Sequence, residues 1–241
     1  MKQIILLAVA AFLAFHGVAA ASPCDDWNIL EKEIRDGSID RASAESRIVI
    51  LHRLLLDTYG ITATNSAEVF PVAGYDFRAI GGRHGNDYRP GGYSFYQGNR
   101  HGGHPAHDIF VRDRNQDALD DVTGKPVTIV SFTDGIVIAI NPAWDYPNPI
   151  RGGKYVWIFN PAEERYYYYA HLSSVTVMPG QTITAGEPIG FLGRTGKNAY
   201  PRRSPTHLHF MVLSYADGRM LPRNPYRELV GAGRSIVKTS H

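Results

Sequence analysis

The chain has 241 residues, 44% of them hydrophobic and 20% charged, with a net charge of +2. That length holds one sizeable core, or one domain with an extension, and the composition excludes disorder or coiled coil over most of the chain. The small net charge gives no argument for nucleic acid as a partner, while 24 Gly, 15 Pro and 14 Tyr favour a loop-rich β protein over a helical one.

Residues 1–21 read as a signal peptide outside the fold. Met1-Lys2-Gln3 is a short basic start, Ile4 to Phe15 an apolar run, and Ala19-Ala20-Ala21 offers small residues for cleavage. The apolar run is short for a membrane span, and no later stretch is apolar enough to be one. The expectation is an exported, periplasmic protein with no transmembrane segment after cleavage. Cys24 is the only cysteine, so no internal disulfide forms. It reads as a free or intermolecular thiol near a mobile terminus. A lipid anchor is the alternative, disfavoured because Pro23 stands where lipoprotein signals carry a small residue.

Residues 22–60 read as a helical hairpin. Asp25-Asp26 can cap a first helix carrying Trp27, Leu30 and Ile34 on one face, ended by Gly37. A second helix from Asp40 to Tyr59 carries Ala44, Ile48, Leu51 and Leu55 at helical spacing, with Gly60 closing it. The hairpin reads either as a packing extension or as a cover for the active site or a partner surface. From Ala67 onward short strands alternate with Gly and Pro: Val127–Val130, Gly135–Ile140, Lys154–Phe159, Arg165–His171 and Ile189–Leu192. The predicted fold is mainly β, an antiparallel domain over residues 61–230, with 231–241 as a C-terminal tail. Residues 81–103 and 141–153 read as long loops.

Chemistry concentrates in histidines. His207-Leu208-His209 lies on a predicted strand, so both imidazoles emerge on one face. A divalent metal is the usual partner for such a pair, and spacing alone makes ligands of both. His104 and Asp108, four apart, share a strand face or a helical turn, with Pro105 arguing against a helix. An imidazole, a carboxylate and a third nitrogen from another strand would form a three-ligand site with one position open for water, as in catalytic zinc. His171 ends the aromatic strand Tyr166-Tyr167-Tyr168-Tyr169-Ala170, where alternation puts it on the side of Tyr167 and Tyr169. Asp113, Asn115 and Asp117 place oxygens at alternate positions, as in a calcium loop. Ala118 replaces the expected Gly and no Glu closes the loop, so a solvated acidic loop is the expectation.

His104-Pro105-Ala106-His107-Asp108 matches H-x-x-x-D, Tyr169-Ala170-His171-Leu172 matches Y-x-H-L, and Thr206-His207-Leu208-His209-Phe210 matches the H-x-H segment. Between them lie Asp134-Gly135-Ile136-Val137, Val177-Met178-Pro179-Gly180-Gln181 and Gly193-Arg194-Thr195-Gly196. In order and content, residues 66–215 resemble the M23 (LytM or lysostaphin-type) zinc metallopeptidases. The resemblance implies a LytM-type fold, one zinc held by His104, Asp108 and His209, and His171 and His207 as catalytic histidines. Ala106 departs from the Gly many members carry there. His107, facing away from Asp108, is expected to support the site or the fold and not to ligate. Arg194, Asn198, Arg202 and Arg203 border the family's substrate groove, where they either hold carboxylates of an acidic peptide stem or form only a basic surface. The implied activity is hydrolysis of peptide stems or cross-bridges in bacterial peptidoglycan. The alternatives are a non-catalytic activator of other wall hydrolases and a peptidase acting on extracellular proteins.

Overall fold

The computed structural model describes residues 22–60, 66–200, 204–216 and 218–239. The expected signal peptide, Arg202 and Arg203 lie outside the described residues. The hairpin is formed by α1 (Pro23–Asp36) and α2 (Arg41–Tyr59). Ser22, not Asp25 or Asp26, caps α1: its Oγ accepts from the Asp25 N–H at 3.2 Å. Pro23 occupies the first turn, where its missing N–H has no partner to lose. The two aspartates instead sit in that turn, facing the positive end of the helix dipole. Gly37 ends α1 at φ 70, a conformation other residues resist. Asp40 caps α2 through a 2.9 Å bond from the Ser43 N–H.

Nine strands among the described residues form one antiparallel sheet. They are β1 (Ala106–Phe110), β2 (Thr128–Val130), β3 (Gly135–Asn141), β4 (Lys154–Asn160), β5 (Arg165–Val175), β6 (Thr182–Ile183), β7 (Pro188–Leu192), β8 (His207–Ala216) and β9 (Arg219–Arg223). The main order is β1-β8-β5-β4-β3-β6; β7 pairs with β2 and β5, and β9 with β8. Strand alternation sorts side chains into two cores. Val156, Ile158, Tyr167, Tyr169, Leu208 and Phe210 face one of them, with Phe70, Val72 and Ile129. Tyr155, Trp157, Phe159, Tyr166 and Met211 face the other, which the hairpin covers with Trp27, Leu30, Ile48 and Leu55. Trp27 stacks on Tyr166 with ring centroids 4.9 Å apart.

Two expectations change. Cys24 is a free thiol, but it is fully buried in α1 with its Sγ 3.5 Å from the Tyr59 hydroxyl, which does not suit the intermolecular alternative. The expected tail is largely a helix, α3 (Tyr226–Thr239), which crosses the 230/231 boundary. Leu229 and Ala232 are buried in the first core. Gly233, which reads as a helix breaker, allows α3 to lie directly on the Phe77 backbone, where a Cβ would collide.

Candidate active site

Three neighbouring strands place the central groups. Asp108 on β1 lies opposite His209 on β8, and His209 lies opposite Ala170 on β5. Directly opposed residues share a sheet face, so Asp108 and His209 project together. His104 is not on the strand. It precedes Pro105 and pairs with Arg89 through two backbone bonds of 2.6 and 2.7 Å. That bridge carries its ring to Asp108, with Nε2 3.2 Å from Oδ1. His209 Nδ1 is 3.0 Å from the same oxygen, and His207 Nε2 stands further off at 3.7 Å.

The donor atoms of His104, Asp108 and His209 all lie within 4.8 Å of one another. Ligands at about 2.0–2.1 Å from a tetrahedral zinc sit ~3.3 Å apart, so spacings of 3.0 and 3.2 Å suit that ion. Two nitrogens and a carboxylate oxygen are also the right donors for it. His104 Nδ1 is 3.0 Å from the Asp87 carbonyl. Its N–H therefore donates there, leaving the Nε2 lone pair for a metal. Burial resists charge on Asp108, yet the hydrogen bonds of His104 and His209 hold its carboxyl well below the usual carboxylate range. Burial likewise resists charge on His104, but Asp108 and Asp87 raise it to about 9. Burial pushes His209 down; His104 is the favoured counter-ion of the ionised Asp108, and a metal taking its Nε2 would displace the proton held there.

His171 reaches the site by a route alternation does not give. Across β4 and β5, Tyr155 pairs with Ala170 and Lys154 with Leu172, which leaves His171 as the extra residue of a bulge. Its φ is 68. The bulge turns its ring away from the side of Tyr167 and Tyr169 and toward His207, with ring centroids 4.9 Å apart. Burial, reinforced by His207 and His209, pushes the His171 imidazole well below its ordinary value, so it is neutral at pH 7. His171 Nδ1 lies 2.9 Å from the Thr195 carbonyl, and His207 Nδ1 lies 2.7 Å from the Pro205 carbonyl. Each Nδ1–H donates to a carbonyl, which leaves each Nε2 as the ring nitrogen available to the cleft.

The five groups line one cleft of about 200 Å³. Asn198 lines it too, whereas Arg194 is not among its lining residues. Arg194 instead bonds Thr206 Oγ1 at 2.8 Å and Gln116 Oε1 at 3.2 Å. Sequence reasoning missed Tyr168, His101 and Arg151, which also line the cleft. For Arg151 the available signal was the Gly152-Gly153 pair after it. His107 lies on the opposite face of β1, fully buried, its Nε2 2.9 Å from Asn224 Oδ1.

Two carboxylates of the acidic loop are buried and not solvated. Asp113 is buried and accepts from the Asp117 N–H, the Ala118 N–H and the Thr206 hydroxyl. Asp120 is buried and accepts from the Tyr75 hydroxyl, Arg112 and the Val122 and Thr123 N–H groups. These bonds shape the loop.

Residues 116–222 match the family model described as Peptidase family M23. The match includes His171, His207 and His209; His104 and Asp108 join them through the fold. Glycyl-glycine endopeptidase ALE-1 of Staphylococcus capitis is 28% identical over 160 residues, 65% of this chain and 38% of that protein. The chain thus spans about two fifths of the length of that relative. Among solved structures, a candidate glycyl-glycine endopeptidase LytM from Ruminococcus gnavus has a TM-score of 0.47 at 18% identity, covering 90% of this chain and 84% of that one. A zinc-containing peptidase from Vibrio cholerae has a TM-score of 0.40 at 22% identity, covering 65% and 39%. The antimicrobial peptidase lysostaphin from Staphylococcus simulans has a TM-score of 0.38 at 20% identity, covering 71% and 51%.

Proposed function

We propose that the chain, whose residues 116–222 match the model of peptidase family M23, is a zinc endopeptidase that hydrolyses peptide cross-links of bacterial peptidoglycan outside the cytoplasm. The observation that carries this reading is the convergence of His104, Asp108, His171, His207 and His209 on one cleft. The presence of all five favours an enzyme over a non-catalytic activator. The name of the related protein, a glycyl-glycine endopeptidase, supports a peptide-bond substrate, and the leader-like residues 1–21 support export.

His104, Asp108 and His209 would hold the ion, and the Asp87 carbonyl would fix the His104 ring. A zinc ion bound there supplies Lewis acidity toward the scissile carbonyl or a water molecule. His207 and His171 do the proton work. With their Nδ1–H groups committed to Pro205 and Thr195, their Nε2 atoms face the reacting groups. A neutral Nε2 accepts the proton of the attacking water. Once protonated, it donates to the developing oxyanion or passes the proton to the leaving amine.

The test is digestion of purified cross-linked muropeptides, with metal content measured on the same preparation. The expected result is about one zinc per chain and conversion of cross-linked dimers to monomers. Zinc-loaded protein that cleaves casein and leaves muropeptides intact would reassign the substrate to extracellular proteins.

A further inference from the structure

Arg151 differs from the arginines around it. Arg35 bonds Asp36 through two nitrogens, and Arg194 is held by Thr206 and Gln116. Arg151 lines the catalytic cleft and also an adjoining pocket of about 80 Å³ beneath α1. Its Nη1 donates to the His101 carbonyl at 2.7 Å. Among the described residues, no carboxylate lies within 4.0 Å of its guanidinium. A guanidinium carries five N–H donors in a planar fork, so a single carbonyl leaves most of that fork for a ligand. A half-buried cation without a counter-ion is a costly arrangement, and one that a complementary anion relieves.

The position is rigidly built. The Arg151 N–H donates to Asn99 Oδ1 at 2.9 Å, and Asn99 Nδ2 donates to the Pro149 carbonyl at 3.0 Å. The Lys197 N–H donates to the Ile150 carbonyl at 3.0 Å. Gly152 lies against the Tyr168 hydroxyl, and Gly153, at φ 65, lies against Thr195 and Gly196, so a side chain at either would collide. The turn that carries Arg151 is therefore clamped to the strand bearing Tyr168 and to the segment whose Thr195 carbonyl fixes His171. Pre-organisation of this kind is what a bidentate carboxylate contact requires.

We propose that Arg151 binds a carboxylate of the peptide substrate, and so sets a preference for a stem that bears a free carboxyl group beside the scissile bond. The assignment rests on the peptidase reading above and deepens it. It moves carboxylate recognition from Arg194, which the fold engages elsewhere, to an arginine on the loop before β4.

Two matched stem peptides test this, one with the free carboxyl group and one amidated there. Their binding to the zinc-loaded His207→Ala chain is measured by calorimetry, and their hydrolysis by the wild-type chain. The free carboxyl form is expected to bind about tenfold or more tightly and to be cleaved faster. Arg151→Gln should erase the difference, and Arg151→Lys should keep part of it, since lysine retains the charge but not the fork. Equal binding of the two peptides, no binding of either, or a preference that survives Arg151→Gln overturns the assignment. Hydrolysis of both peptides at equal rates overturns it while leaving the peptidase reading intact. Carboxylate preference in binding with no hydrolysis by the wild type would keep Arg151 in this role and remove the peptidase reading.

Discussion

His171 holds a left-handed backbone conformation that costs a non-glycine residue about 1–3 kcal/mol. The surrounding pairs on β4 and β7 impose it, and the result is an imidazole turned into the cleft. The histidines and Asp108 were legible in the sequence as residues, because their motifs stand in order. The orientation of His171 was not, because a bulge breaks the period of two on which strand reading depends. The acidic loop was misjudged for a related reason: spacing lists oxygens, but not the N–H groups that Asp113 and Asp120 accept. At Asp120, burial opposes the charge, but the Tyr75 hydroxyl, Thr123 and Arg112 hold the carboxyl down to about 2. An unfolded aspartate titrates near ~3.9. The folded value is the lower one, so the ionised carboxylate stabilises the fold fully above the unfolded value. That contribution is lost as pH falls through about 2. Thermal melts of wild type and Asp120→Asn should therefore differ most near neutral pH and converge as pH falls through that window. A gap that stays constant down to pH 2 would mean that the charge is not its source.

The helical hairpin gives the sheet its second core. Its apolar positions were readable from their 3.6-residue spacing, and the strands from apolar runs between Gly and Pro. The cap at Ser22 was overshadowed by Asp25-Asp26, since all three residue types favour helix starts. Helix α3 was hidden by Gly231 and Gly233, which lower helix propensity, although Gly233 is what lets the helix reach Phe77. Trp27, buried and stacked on Tyr166, is one of the side chains that fasten the hairpin. Trp27→Ala is expected to lower stability by about 3–5 kcal/mol, as for other buried aromatics, measured by denaturant unfolding. A loss below about 1 kcal/mol would show that α1 rests only loosely on the sheet. Because α1 also walls the pocket beside Arg151, the hairpin shapes the surroundings of the cleft from the opposite end of the sequence.

Across the whole molecule, the site joins parts of the chain that the sequence keeps about a hundred residues apart. β1 and its preceding loop bring His104 and Asp108, β5 brings His171, and β8 brings His207 and His209. Only the pairing of β8 between β1 and β5 makes them one cleft. It also separates the two histidines of the HxH segment, one strand face notwithstanding. His209 touches Asp108 with Nδ1, whereas His207 stands back and is steered by Pro205. The most direct measurement takes zinc content and muropeptide cleavage together on wild type, His207→Ala and His209→Ala. The expected result is zinc and cleavage in the wild type, zinc with cleavage reduced about a hundredfold or more in His207→Ala, and neither in His209→Ala. Cleavage that survives in His209→Ala, or zinc that is lost from His207→Ala and kept by His209→Ala, would contradict this division of labour.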